Sequence, residues 1–141
     1  MGTKNLWLTS CPAGDDMVGS KKRGTRFEYR VAYVFENYGY CWDRSGSSLG
    51  VDLKILKGGD LRFLVSCKKT STKDVIYLPK AEVENLADEA ERRRARGLIC
   101  YGFYRTPVFV VALKDMGDLE QTRKSYKLAR NRGTALENFL S

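Results

Sequence analysis

Val51-Asp52-Leu53-Lys54-Ile55-Leu56-Lys57-Gly58-Gly59-Asp60-Leu61-Arg62-Phe63-Leu64-Val65-Ser66-Cys67-Lys68 is the stretch on which the reading of this chain turns. Val51 to Leu56 reads as a strand, with Val51, Leu53 and Ile55 on one face and Asp52 and Lys54 on the other. Gly58-Gly59-Asp60 supplies a tight turn. Leu61 to Lys68 is a second strand, in which Leu61, Phe63, Val65 and Cys67 share one face and Arg62, Leu64, Ser66 and Lys68 the other. The period predicts a hairpin that projects Asp52 and Lys68 from the same side. Lys68 ends a core-like run where a neutral residue is the ordinary finish.

Working outward, residues 24–38 carry Phe27, Val31, Val34, Phe35 and Tyr38 at helical spacing. Thr25 and Glu28 have the spacing of a capping box, and Gly39 supplies a stop. Tyr40-Cys41-Trp42 reads as a short strand, followed by the polar loop Arg44 to Gly50. After the hairpin comes a basic loop, Lys69 to Lys73, then the strand-like Val75-Ile76-Tyr77-Leu78. Pro79 opens a second helix with Val83, Leu86, Ala87 and Ala90 as its buried stripe. Residues 98–104 and 107–113 are further strands. Residues 118–139, with Arg123, Lys124, Lys127, Arg130 and Arg132, read as a C-terminal helix or tail. The expected division is a flexible arm over 1–20, one domain over 21–116 and a basic segment over 117–141. The order of elements suggests an α/β fold, a mixed central sheet flanked by helices.

The 141 residues suffice for one domain with a real core. The net charge of +8 suits a polyanionic partner such as nucleic acid, and suits equally a merely soluble basic protein. The chain has no histidine, which excludes Ser-His-Asp and Cys-His catalysis, His-containing zinc sites and histidine-activated nucleases. The four cysteines form no CxxC pair, which argues against zinc and suggests no disulfide framework. No apolar run is long enough to span a bilayer and no signal-peptide pattern is present, so a cytosolic protein without membrane contact is expected.

Hydrolysis in such a chain must run on carboxylates, lysine and a hard metal. Phosphodiester cleavage needs an in-line water and stabilisation of charge on the phosphorus, work that carboxylate-held Mg²⁺ and a nearby lysine can do. Glu28, Asp52 and Lys68 supply those parts. Lys22-Arg23-Gly24-Thr25-Arg26-Phe27-Glu28, the serine loop before Gly50-Val51-Asp52-Leu53, the strand ending in Cys67-Lys68 and Tyr77-Leu78-Pro79 together resemble archaeal Holliday junction resolvases of the Hjc type. The resemblance runs in sequence order over residues 21–116. It implies a restriction-endonuclease-like PD-(D/E)XK fold, a homodimer, and cutting of four-way DNA junctions with Mg²⁺, for which Mn²⁺ can substitute. Carried over by position, Glu28 is the first-helix acid, Asp52 a metal ligand and Lys68 the catalytic lysine. Ser45, Ser47 and Ser48 match the loop that contributes a functional serine, any one of the three.

Two positions depart from the family pattern. Val51 replaces a proline with no chemical role. Ser66 replaces the metal-binding glutamate, and a hydroxyl is a poor substitute for a carboxylate on Mg²⁺. Some restriction endonucleases of the same superfamily also read Ser-x-Lys and take the missing acid from the next helix, with thirteen residues between the lysine and that glutamate. Here residues 69–81 separate Lys68 from Glu82, the same thirteen. Asp52 and Glu82, with the backbone carbonyl of Cys67, are the expected metal ligands. Lys22, Arg23, Arg26, Lys69 and Lys73 are expected to bind DNA phosphates.

Each assignment has a plainer rival. Glu28 fits a capping box, Asp52 a solvated strand, Lys68 and Lys69 edge protection, and Glu82 the helix dipole. Tyr29 and Tyr33 could stack on bases or lie in a core or interface. Three functions remain open at this level: an active junction resolvase, a paralogue that binds junctions without cutting, and a sequence-specific endonuclease of the restriction or homing type.

Overall fold

The computed structural model describes residues 23–44, 51–130 and 133–141, with side chains from Arg26 onward. The expected arm, Lys22 and the loop serines Ser45, Ser47 and Ser48 lie outside the described residues, as do the side chains of Arg23 and Thr25.

Helix α1 spans Arg23–Asn37 and buries Phe27, Val31, Ala32 and Phe35. Its end is set at Gly39, whose φ of +94° is open to glycine and costly for other residues. Strand β1 (Cys41–Asp43) then pairs antiparallel with β2 (Leu53–Lys57), which pairs antiparallel with β3 (Asp60–Lys69). The hairpin expected from the sequence is present. Gly58 and Gly59 at φ +63° and +84° have the positive dihedrals of a type I′ turn.

After β3, strand β4 (Val75–Pro79) leads into α2 (Lys80–Arg92), which returns the chain to β5 (Arg96–Gly102), parallel to β3. Strand β6 (Phe109–Ala112) pairs antiparallel with β5, and a 3₁₀ segment follows at Leu113–Asp118. The six-stranded sheet has the order β1-β2-β3-β5-β6-β8, with β8 at Thr134–Ala135. It is mixed, as expected.

The segment read from sequence as a helix or tail over 118–139 is neither. It contains strand β7 (Ser125–Ala129), then β8, then the short helix α3 (Leu136–Leu140). Strand β7 pairs antiparallel with β4 to form a two-stranded ribbon outside the main sheet. Leu128 and Leu136 are fully buried, so the C-terminal segment completes the fold instead of trailing from it.

The sheet separates two apolar clusters. Phe63, Val65, Leu98 and Cys100 pack with Phe27, Val31 and Phe35 of α1. Leu64, Ile99 and Tyr101 pack with Val83, Leu86 and Ala90 of α2 and with Leu78 and Leu128 of the ribbon. Successive residues of β3 and β5 therefore feed opposite clusters, the period-two rule of a strand covered on both faces. This arrangement brings the first turns of both helices toward the C-terminal end of β3.

Candidate active site

The site forms where β2 and β3 part. The backbone N–H of Asp52 donates to Val65 O at 2.8 Å, the last contact of the ladder on this side. The Asp52 side chain then takes over, its Oδ2 accepting the Cys67 N–H at 2.8 Å. Asp52 is half-buried, and burial pushes its pKa above the ordinary aspartate value. The Cys67 N–H opposes that rise, the nearby Glu28 carboxylate adds to it, and Lys68 opposes it again. Asp52, Glu28 and Lys68 are thus electrostatic neighbours.

Glu28 comes from the first half of α1. Its Oε1 accepts two bonds from Arg44, from Nε at 2.9 Å and Nη2 at 2.7 Å. A capping role does not account for Glu28, which faces the sheet end and a guanidinium from beyond β1. Sequence reasoning placed Arg44 only as the first residue of a polar loop and missed this contact.

Lys68 lies on the face of β3 that looks toward α2. Its Nζ is 2.8 Å from Glu82 Oε1, in the first turn of α2. The approach is an ion pair off the hydrogen-bond axis, and Glu82 Oε1 is shielded from solvent without a hydrogen bond among the described residues. Ser66, two residues before Lys68 and on the same face, is 4% exposed and in register with Ile99 of β5. A helix-borne acid therefore reaches the lysine beside the buried serine.

These donors suit a hard divalent cation. The half-buried Asp52 carboxylate, whose pKa is raised, gains from a positive ion, and Glu82 Oε1 accepts no hydrogen bond among the described residues. Mg²⁺ commonly takes one or two carboxylates and keeps its remaining waters. Glu28 and Asp52 sit together while Glu82 sits with Lys68, and among the described residues no group of three His, Cys, Asp or Glu is assembled to hold a metal. Burial pushes the thiols of Cys67 and Cys100 well up, so both stay protonated and Cys67 offers the site only its backbone.

Beside these residues an open cleft of about 740 Å³ is lined by Arg26, Phe27, Glu28, Arg30, Cys67, Lys69 and Ser71. Lys69 Nζ donates to Ser71 Oγ at 3.0 Å, and Lys73 is exposed farther along the same loop. Two of the expected phosphate binders, Arg26 and Lys69, border the cleft, whereas Lys73 does not line it. Arg30 also borders it and donates from Nη2 to Thr106 O at 2.6 Å, tying α1 to the turn between β5 and β6.

No curated protein matches the sequence. Among solved structures, Hjc from Archaeoglobus fulgidus, a Holliday junction resolvase from an archaeal hyperthermophile, matches with a TM-score of 0.70 at 20% identity, covering 84% of this chain and 100% of that one. That likeness identifies the restriction-endonuclease-like fold. The family described as archaeal Holliday junction resolvase (hjc) matches over residues 19–141, which takes in the ribbon strand β7 and the C-terminal helix. The chain belongs to the archaeal Holliday junction resolvase family.

Proposed function

We propose that this chain is a Mg²⁺-dependent endonuclease that cuts four-way DNA junctions as a homodimer, with Glu82 supplying the carboxylate that position 66 lacks. Family membership carries the coarser activity, structure-specific cleavage of junctions. The observation that carries the finer reading is the 2.8 Å contact between Lys68 Nζ and Glu82 Oε1, which puts a carboxylate from α2 beside the catalytic lysine on the face of Ser66.

In this reading Asp52 and Glu82 would hold the metal, with the Cys67 carbonyl at the strand end. When bound, Mg²⁺ supplies charge stabilisation to the phosphate and acidity to a water. The chain's own residues do the rest. The Cys67 N–H fixes Asp52, so one carboxylate oxygen stays oriented. Lys68 holds a proton on Nζ and orients the attacking water or neutralises a phosphate oxygen. Arg44 neutralises Glu28 and keeps its carboxylate turned toward Asp52. Arg26 and Lys69 at the cleft, with Lys22, Arg23, Lys73 and one of Ser45, Ser47 and Ser48, are assigned to the DNA backbone. Two symmetric cuts require two sites related by a two-fold axis, which a homodimer provides.

A labelled four-way junction and a matched linear duplex, incubated with the protein in Mg²⁺ and in EDTA, test the reading. Paired nicks in the junction alone, dependent on Mg²⁺, are expected. Junction binding without nicks would leave a binding-only paralogue, and cutting of the linear duplex at a defined sequence would make this a different nuclease of the superfamily.

A further inference from the structure

We infer that Tyr29, Tyr33 and Trp42 form a stacking platform for an unpaired nucleobase, beside the candidate active site. The inference rests on the junction-nuclease reading and names the part of the substrate these rings would touch. Tyr33 is 54% exposed, on α1 outside the stripe that the helix buries in the core. It is not a loose side chain. The Tyr29 and Tyr33 rings stack at 6.1 Å with 20° between their planes. Trp42 of β1 meets both edge-on, at 5.6 Å and 6.1 Å, and is itself packed against the apolar cluster under α1. Its Nε1 donates to Glu36 Oε1 at 2.9 Å, so its one polar group is already satisfied. The rings are therefore held in place before any ligand arrives, with the Tyr33 ring presented outward.

Position and charge select the occupant. Tyr29 follows Glu28 in the chain, and the Arg44 guanidinium that grips Glu28 also lies 5.0 Å from the Tyr29 ring centre. The platform thus adjoins the candidate site through one shared side chain. Arg26, Tyr29, Arg30 and Tyr33 follow one another at helical spacing along α1, alternating cation and ring. Cations that meet phosphates and rings that meet bases are the pair of features by which proteins hold unpaired nucleic acid. A second copy of this chain docked here would bring a second set of Arg26 and Arg30 close to the first, whereas DNA is attracted by both. A branch point is where bases are most cheaply unstacked, since they lack a continuous duplex on one side.

The test is binding in EDTA, which removes cleavage from the readout. A four-way junction carrying 2-aminopurine at the branch point and a linear duplex are titrated with the parent, Tyr33→Ala and Tyr33→Phe. Tyr33→Ala is expected to weaken junction binding about tenfold, to lose the parent's change in 2-aminopurine fluorescence, and to leave duplex affinity and salt dependence unchanged. Tyr33→Phe keeps the ring and is expected to behave as the parent. Equal loss on junction and duplex, equal loss in the Phe and Ala variants, no loss at all, or conversion of a dimer to monomer by Tyr33→Ala would each overturn the platform while leaving the nuclease reading intact. A parent that does not prefer the junction overturns the nuclease reading and the platform with it.

Discussion

Lys68 Nζ and Glu82 Oε1 stand 2.8 Å apart, linking the last turn of the ladder on β3 to the first turn of α2. The Lys68 and Glu82 side chains remain 31% and 40% exposed, so the pair is no structural strut: pairs of this kind contribute less than about 1 kcal/mol. Its value lies in where it puts an acid. A carboxylate in the first turn of α2 is favoured by the helix dipole, and the crossover from β3 delivers it to the same strand face as Ser66.

Asp52 gives a pH test. Its pKa is raised above the ordinary 3.8, chiefly by burial and then by Glu28, against the Cys67 N–H and Lys68. The native state therefore holds this proton more tightly than the unfolded chain does. Metal-free stability from this group is fully present below the ordinary aspartate pKa and is lost as pH rises through the raised value. Asp52→Asn removes that loss and still accepts the Cys67 N–H, so thermal unfolding at neutral pH in EDTA should show a higher Tm than the parent. Mg²⁺ should stabilise the parent by about 2.7 kcal/mol at a hundredfold excess over Kd and so raise its Tm, and leave that of Asp52→Asn unmoved.

Ser66 gives a rescue test. Restoring the acid by Ser66→Glu in the parent places a second carboxylate in a buried position beside Glu82, and denaturant unfolding should show a cost of about 1–3 kcal/mol. In a Glu82→Gln background the same substitution should recover Mg²⁺-dependent junction cleavage. No recovery in the double variant would show that positions 66 and 82 are not alternatives.

Leu128 tests the C-terminal segment. It is fully buried between the ribbon and α2, so Leu128→Ala should cost about 2–5 kcal/mol in denaturant unfolding. A true tail residue would cost nothing.

Much of the fold was legible because its signals are local. The hairpin from Val51 to Lys68 carries a two-residue period in each strand around two glycines, and Pro79 marks the start of α2. Asp52 and Lys68 followed from the same period. What was missed depends on distant partners. Strand β7 reads Ser125-Tyr126-Lys127-Leu128-Ala129, with one fully buried side chain and a lysine among the rest, and its partner β4 lies about 50 residues earlier (Ser125 pairs with Pro79, Ala129 with Val75). A short half-covered strand of that kind resembles a charged tail. Arg44 escaped for the same reason: its ion pair with Glu28 closes across 16 residues and two elements. Ring exposure was equally hidden, since Tyr33 follows the helical period of α1 yet falls just outside the buried stripe.

Lys69 gives a salt test. If it meets a phosphate, Lys69→Ala should weaken junction and duplex binding alike and reduce the slope of log K against log salt by about 0.9. An unchanged slope would assign Lys69 to the surface alone.

Single-turnover cleavage of a four-way junction by Glu82→Gln, with binding measured in EDTA on the same preparation, bears most directly on how this chain cuts with a serine at position 66. The expected result is parent-like binding with cleavage slowed by about 100-fold or more, the scale of losing a group that stabilises transition-state charge. Cleavage at the parent's rate would contradict the assignment of Glu82 as the missing acid.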